Sequence, residues 1–120
     1  MESNQKRIFV TGGSGFIGTN LISLLTGRGY EVCNADIQPP RNPAQNSFHR
    51  HVDLLDAAAL KQAMSDFAPS CVVHLAARTD LDGKTLDDYS LNTLGTQNLI
   101  EAVDARPDPP PRSRRVWHLL

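Results

Sequence analysis

The sequence is 120 residues long, room for one domain with one core that buries roughly two-thirds of the surface its unfolded chain exposes. A hydrophobic share of 40%, a charged share of 21% and a formal net charge of -1 describe an ordinary globular chain, with no reason to expect nucleic acid or an anionic membrane as its main partner. No apolar run approaches the ~18 residues of a membrane span, and the run that follows Arg7 breaks at Gly12, too early for a secretory signal, so the expected location is the cytosol.

Ile8, Phe9 and Val10 form a short apolar run ending at Gly12 and Gly13, which reads as a buried strand. Ile17, Leu21, Leu24 and Leu25 then recur at helical spacing, and Gly27 to Gly29 stop that helix. Tyr30 to Ala35, closed by Asp36, reads as a second strand. Gln38 to Ser47 carries three prolines and two asparagines and reads as a loop. Phe48, Arg50 and Val52 alternate with His49 and His51, a weak signal for a third strand.

Asp56 stands where a helix N-cap belongs, and Leu60, Ala63, Met64 and Phe67 follow it on one helical face that ends at Pro69. Cys71 to Ala76 is nearly apolar throughout, as a strand covered on both faces must be. A long helix is expected over about Thr85 to Ala105, burying Leu91, Leu94, Gly95, Leu99 and Val103. Pro107 to Pro111 ends it, and Val116 to Leu120 reads as a fifth strand. The expected organisation is a dinucleotide-binding unit over residues 1–105, followed by a Pro/Arg-rich tail over 106–120 that contains the fifth strand.

Alternating strands and helices imply right-handed parallel crossovers and an α/β fold. The expectation is a Rossmann-type doubly wound sheet of order 3-2-1-4-5, with ligands at the carboxyl ends of strands 1 and 4. Cys33 and Cys71 would then flank a common neighbour. Two strand spacings of ~4.8 Å put them about 10 Å apart, beyond the ~7 Å reach of a disulfide, so two reduced, buried thiols are expected. No zinc-ligand spacing occurs.

The strongest chemical signal is Val10-Thr11-Gly12-Gly13-Ser14-Gly15-Phe16-Ile17-Gly18. A pyrophosphate needs donors at close range and no side chain in the way, and the first turn of a helix offers unpaired N–H groups with about half a positive charge. Gly12 suits the sharp turn from strand to helix, Gly15 lets backbone approach the phosphates, and Gly18 lets the helix pack against the sheet. The backbone N–H groups of Phe16 and Ile17 are the candidates for phosphate contact. A Walker loop is excluded because Gly18 is followed by Thr19. Asp36, at the end of strand 2, is placed to accept from the adenosine ribose hydroxyls and to repel a 2′-phosphate, which favours NAD over NADP. The plainer alternative is an aspartate that caps a turn.

These residues resemble the extended short-chain dehydrogenase/reductase superfamily, in its NAD-dependent epimerase/dehydratase branch, over about Arg7 to Val103. The likeness rests on residues 11–18, Asp36, Val52-Asp53-Leu54, His74-Leu75-Ala76-Ala77 and residues 92–99. It implies that Asp53 and the backbone at Leu54 grip the adenine edge, that Leu75, Ala76 and Ala77 line the dinucleotide beyond strand 4, and that Asn92 faces the cofactor. The alternatives are that Asp53 only terminates strand 3, that Leu75 to Ala77 are small core residues, and that Asn92 faces solvent. His74 has no visible partner and reads as a satisfied core histidine. Arg78, Thr79 and Asp80 follow on the ligand side, where relatives border a substrate that is often a nucleotide sugar; a solvated loop charge is the plainer reading of Arg78.

The family's chemistry uses a tyrosine and a lysine four residues later, the phenolate serving as general base. Tyr30 and Tyr89 are followed at that spacing by Asn34 and Thr93, so no catalytic residue is assigned. The expectation is the cofactor half of a nucleotide-sugar epimerase or dehydratase, truncated before its catalytic and substrate-binding parts. A non-catalytic dinucleotide-binding or interaction module is the alternative, and an FAD- or nucleotide-only protein a weaker third. A bare edge at strand 5 would also allow self-association.

Overall fold

The computed structural model describes residues 6–76, 86–105 and 117–118, and of 86–92 and 117–118 the backbone alone. Five parallel strands form one sheet in the order β3-β2-β1-β4-β5. They are β1 (Arg7–Thr11), β2 (Glu31–Asp36), β3 (His49–His51), β4 (Cys71–His74) and β5 (Trp117–His118). Among the described residues three α-helices lie between them in sequence: α1 (Phe16–Gly27), α2 (Ala57–Phe67) and α3 (Leu86–Asp104). The winding reverses between β1 and β4, as the alternation of elements predicts. This is a Rossmann-type fold.

The side-chain period of two sorts the sheet into two cores. Phe9, Cys33, Ala35 and Val72 point to one face, where they pack with Leu60, Ala63 and Met64 of α2 and Leu99, Ala102 and Val103 of α3. Ile8, Val10 and Val32 point to the other, against Ile22 and Leu25 of α1. A sheet covered on both faces needs apolar residues at successive positions, which explains the nearly unbroken runs in β1 and β4.

Three sequence expectations are corrected by this packing. In α1 the buried residues are Gly18 and Ile22, while Ile17 and Leu24 are exposed. Gly18 lies on the backbone of the preceding turn and sets the helix's rotation, so the neighbouring stripe is turned outward. In α3, Leu94 is 45% exposed and Asn98 and Ala102 are buried in its place beside Leu99; the side chain of Leu91 lies outside the described residues. Residues 43–48, read as loop, form a 3₁₀ turn capped by Asn42 Oδ1, which accepts from the Ala44 N–H at 3.0 Å. That leaves β3 only three residues long.

Neither cysteine forms a disulfide, and β2 and β4 do flank β1. Cys33 is buried, and burial pushes its thiol up to about 11. Cys71, contrary to expectation, is only half-buried, because it opens β4 at the sheet's lower rim. Asp56 caps α2 as expected, its Oδ1 accepting from the Ala59 N–H at 3.1 Å.

The same helix ends on Ala68 in the left-handed region, φ 52°, before the buried Pro69. A Cβ there is disfavoured by ~1–2 kcal/mol, and Ala68 is exposed, so glycine would meet no packing loss. Ala68→Gly is expected to raise stability by about 0.5 kcal/mol after the larger entropy of the unfolded glycine is deducted. A lower urea midpoint for that variant would contradict the assigned strain.

Candidate functional site

The upper rim of the sheet is built around the turn between β1 and α1. Thr11, fully buried, is its anchor. Thr11 Oγ1 accepts from the backbone N–H groups of Leu75 at 3.1 Å and Ala76 at 3.2 Å. The Leu75 N–H is shared with the Thr11 carbonyl at 3.0 Å, and the hydroxyl also pairs with His74 Nδ1, 2.6 Å away. His74 Nε2 pairs in turn with Thr96 Oγ1 on α3 at 3.0 Å. His74 is a satisfied core histidine, and its partners, which sequence did not disclose, tie β1, β4 and α3 together under the rim.

Gly12 follows at φ +72°. A Cβ there would stand 2.6 Å from the Ala76 nitrogen, so the turn crosses the end of β4 at a distance only glycine permits. A Cβ on Gly18 would stand 2.5 Å from Gly13 Cα and 2.7 Å from Gly12 O. Gly18 therefore packs the helix onto the turn itself rather than onto a strand. Gly15 is different: a Cβ there meets only Gly12 O, at 3.6 Å. No part of the described chain demands glycine at 15, and the space before it is open.

Gly15 is the N-cap of α1 and has no side chain to cap it, and the first turn holds no acidic residue. The N–H groups of Phe16 and Ile17 thus head an uncompensated helix dipole. Both side chains are exposed at this mouth, Phe16 by 70% and Ile17 by 53%.

Asp36, half-buried at the end of β2, is drawn to the same turn. Its Oδ2 accepts from the Ser14 N–H at 3.0 Å and its Oδ1 from the Gln38 N–H at 2.9 Å. The turn-capping alternative is therefore real, yet a carboxylate has about four acceptor sites, and two remain for a ligand. The Asp36 carbonyl is held from β3, accepting from His49 Nε2 at 2.9 Å.

Asp53 and Leu54 follow β3 along the same rim. The Asp53 carboxylate is exposed and turns back to accept from the Leu55 N–H at 2.9 Å. Leu54 is held under α3: its carbonyl accepts from Asn98 Nδ2 at 2.8 Å, and Gly95 is close enough that a Cβ would lie 3.3 Å from Leu54 Cβ. Leu75 and Ala76 sit at the exit of β4, bonded to Thr11. Ala77 and the loop residues Arg78, Thr79 and Asp80 lie outside the described residues, as does the side chain of Asn92.

The rim thus brings together Gly12, Gly15, Gly18, Asp36, Leu75 and Ala76. Sequence reading missed Ser14, Asn34 and Asn98, which hold them. Their one legible signal is polarity inside apolar runs, Asn34 within Val32 to Ala35 above all. Among the described residues no group of three or more His, Cys, Asp or Glu is placed to hold a metal ion, and no helix is long and apolar enough to cross a membrane.

A doubly wound parallel sheet with an uncapped glycine turn at its switch point and a carboxylate at the end of the second strand defines a dinucleotide-binding unit. The chain belongs to the NAD dependent epimerase/dehydratase family, whose profile matches residues 8–119. It is 35% identical over 99 residues to GDP-6-deoxy-D-talose 4-dehydrogenase of Aggregatibacter actinomycetemcomitans, covering 81% of this chain and 30% of that protein. It is 36% identical over 110 residues to a 3-beta-hydroxysteroid dehydrogenase of Mycolicibacterium neoaurum, covering 85% and 30%. The crystal structure of Thermus thermophilus UDP-glucose 4-epimerase in complex with NAD superposes with a TM-score of 0.71 at 34% identity, over 80% of this chain and 33% of that one. The chain spans about a third of the length of the relatives it matches.

Proposed function

We propose that this chain binds NAD and is the cofactor half of a nucleotide-sugar epimerase or dehydratase, in which hydride transfer at a sugar carbon belongs to the complete enzyme. The observation that carries the reading is the open space before Gly15, bounded by the uncapped start of α1 and by Asp36, whose carboxylate is anchored 3.0 Å from the Ser14 nitrogen. A diphosphate suits that space: donors at its floor, no Cβ in its way, and a positive helix end with no acidic residue in its first turn. The exposed Phe16 and Ile17 side chains are apolar surface that a bound dinucleotide would cover.

In this assignment the N–H groups of Phe16 and Ile17 hold the pyrophosphate and Asp36 accepts from the ribose hydroxyls. Asp53 and the Leu54 backbone border the adenine, and Leu75 and Ala76 line the dinucleotide past β4. The same role for Ala77 and Asn92 rests on the family resemblance. Bound NAD would supply a hydride acceptor. Residues 1–120 hold no tyrosine with a lysine four positions later, and that favours a second reading for these residues alone: a dinucleotide-binding module without catalysis. The two readings share the cofactor and differ in turnover.

Calorimetric titration of the 120-residue chain is expected to show NAD bound at least about tenfold more tightly than NADP, since Asp36 would face the 2′-phosphate. Equal or reversed affinities would remove Asp36 from its role. Incubation with NAD and a UDP-sugar is expected to give no turnover, and epimerisation by this chain would overturn the absence of a base among its residues. β5 is the outer strand on its side of the sheet among the described residues, and pairing of two such edges is the route by which copies would self-associate.

A further inference from the structure

Asn34 is an outlier in its own strand. Its neighbours Val32, Cys33 and Ala35 are buried apolar residues, yet Asn34 is fully buried among them, on the α1 face of the sheet. Burying an amide is unfavourable unless its polar atoms are paired. Asn34 Nδ2 donates to Ser14 Oγ at 3.0 Å, while Asn34 Oδ1 has no partner. Gly13 lies directly over this amide, so that a Cβ at position 13 would overlap Asn34 Oδ1. An apolar side chain would fill β2 without an orphaned acceptor, and the amide stands where it reaches both Gly13 and Ser14.

Ser14 carries the connection onward. Its hydroxyl donates to Gln38 O at 2.8 Å, and its backbone N–H donates to Asp36 Oδ2 at 3.0 Å. Asp36 Oδ1 in turn accepts from the Gln38 N–H at 2.9 Å. The ring closes: Ser14 to Asp36, Asp36 to Gln38, Gln38 back to Ser14, with Asn34 holding Ser14 from beneath.

We propose that Asn34 and Ser14 are positioning residues that lock the glycine turn to the Asp36 carboxylate, and so set a preference for a dinucleotide with a free 2′-hydroxyl. The proposal rests on the dinucleotide reading above. Without the Ser14 hydroxyl, the Gln38 carbonyl loses its donor and one side of the ring opens. The carboxylate keeps its two backbone donors, but the one on Gln38 is no longer tied to the glycine turn, and the acceptor geometry for the ribose hydroxyls loosens with it. The carboxylate also retreats from a 2′-phosphate, weakening the repulsion that excludes it.

The test compares the wild-type chain with Ser14→Ala, Asn34→Val and the double variant, each titrated calorimetrically with NAD and NADP and each melted. Ser14→Ala strands the Asn34 amide donor and is expected to melt about 5 °C lower. The double variant removes both ends of the pair and is expected to recover most of that loss. Its preference for NAD over NADP nevertheless stays about tenfold below wild type, because the link to Gln38 is still missing. A purely structural role makes the preference return together with the melting temperature. That result, or an unchanged preference in Ser14→Ala, overturns the proposal. Wild-type chain that binds neither dinucleotide refutes the cofactor reading before any substitution is made. Melting shifts that simply add across the four proteins refute the pairing, whatever the ligand does.

Discussion

Gly12→Ala and Gly18→Ala are each expected to cost about 3 kcal/mol or more, a large share of the ~5–15 kcal/mol that holds a domain of this size together. The sign for Gly18 is the informative part. An alanine inside a helix ordinarily stabilises it by ~1 kcal/mol over glycine. Here the new Cβ would stand 2.5 Å from Gly13 Cα and 2.7 Å from Gly12 O, and backbone cannot swing aside as a flexible side chain can. The helix would have to lift off its own opening turn. At Gly12 two penalties combine: a left-handed backbone at φ +72°, unfavourable by ~1–2 kcal/mol for any residue with a Cβ, and a Cβ 2.6 Å from the Ala76 nitrogen. Chemical denaturation followed by circular dichroism reads both losses. A drop below ~1 kcal/mol at either site would mean that the turn and the β4 exit are looser than these contacts require.

Gly15→Ala is expected to do the opposite: fold almost normally and lose the ligand. Its backbone is extended, φ -78° and ψ -178°, and a Cβ meets only Gly12 O at an ordinary 3.6 Å. The stability change should stay within a few tenths of a kcal/mol, the usual scale for glycine at an N-cap. If a diphosphate occupies the open space, the same methyl group enters it. NAD affinity should then fall at least tenfold, ~1.4 kcal/mol. The pair of measurements separates a glycine kept for the chain from one kept for a ligand. A variant that binds NAD as well as wild type would show that the space before Gly15 holds no phosphate.

Much of the architecture was legible because it follows from short-range periodicity. Ile8 to Val10 read as a buried strand and is one; Cys71 to Ala76 read as a strand covered on both faces, and the strand formed is Cys71–His74, with Val72 and His74 buried and Cys71 and Val73 half-buried. Asp56 read as a cap and is one. Strand order followed from the alternation of elements, because parallel crossovers of one hand leave few ways to wind a sheet. The rotation of α1 was not legible. Ile17, Leu21 and Leu24 form as good an apolar stripe as the one that is buried, and only contact between Gly18 and the turn beneath it chooses between them. Leu94, expected to be buried in α3, is exposed for a similar reason: Asn98 is buried instead, where the Leu54 carbonyl, 44 residues away in sequence, takes its amide donor.

The residues themselves determined which groups the site can hold: a glycine turn opening a helix, an acid at the end of the second strand, and no Tyr-x-x-x-Lys pair among 120 residues. Those are statements about which groups exist at which spacing, and spacing along the chain is enough to make them. Tertiary structure alone decided which glycine serves which neighbour, which partners meet the two ring nitrogens of His74, and how Ser14 ties Asn34 to Asp36. Each of these depends on two segments meeting within about 3 Å, and contacts between distant segments leave no period in the sequence to read.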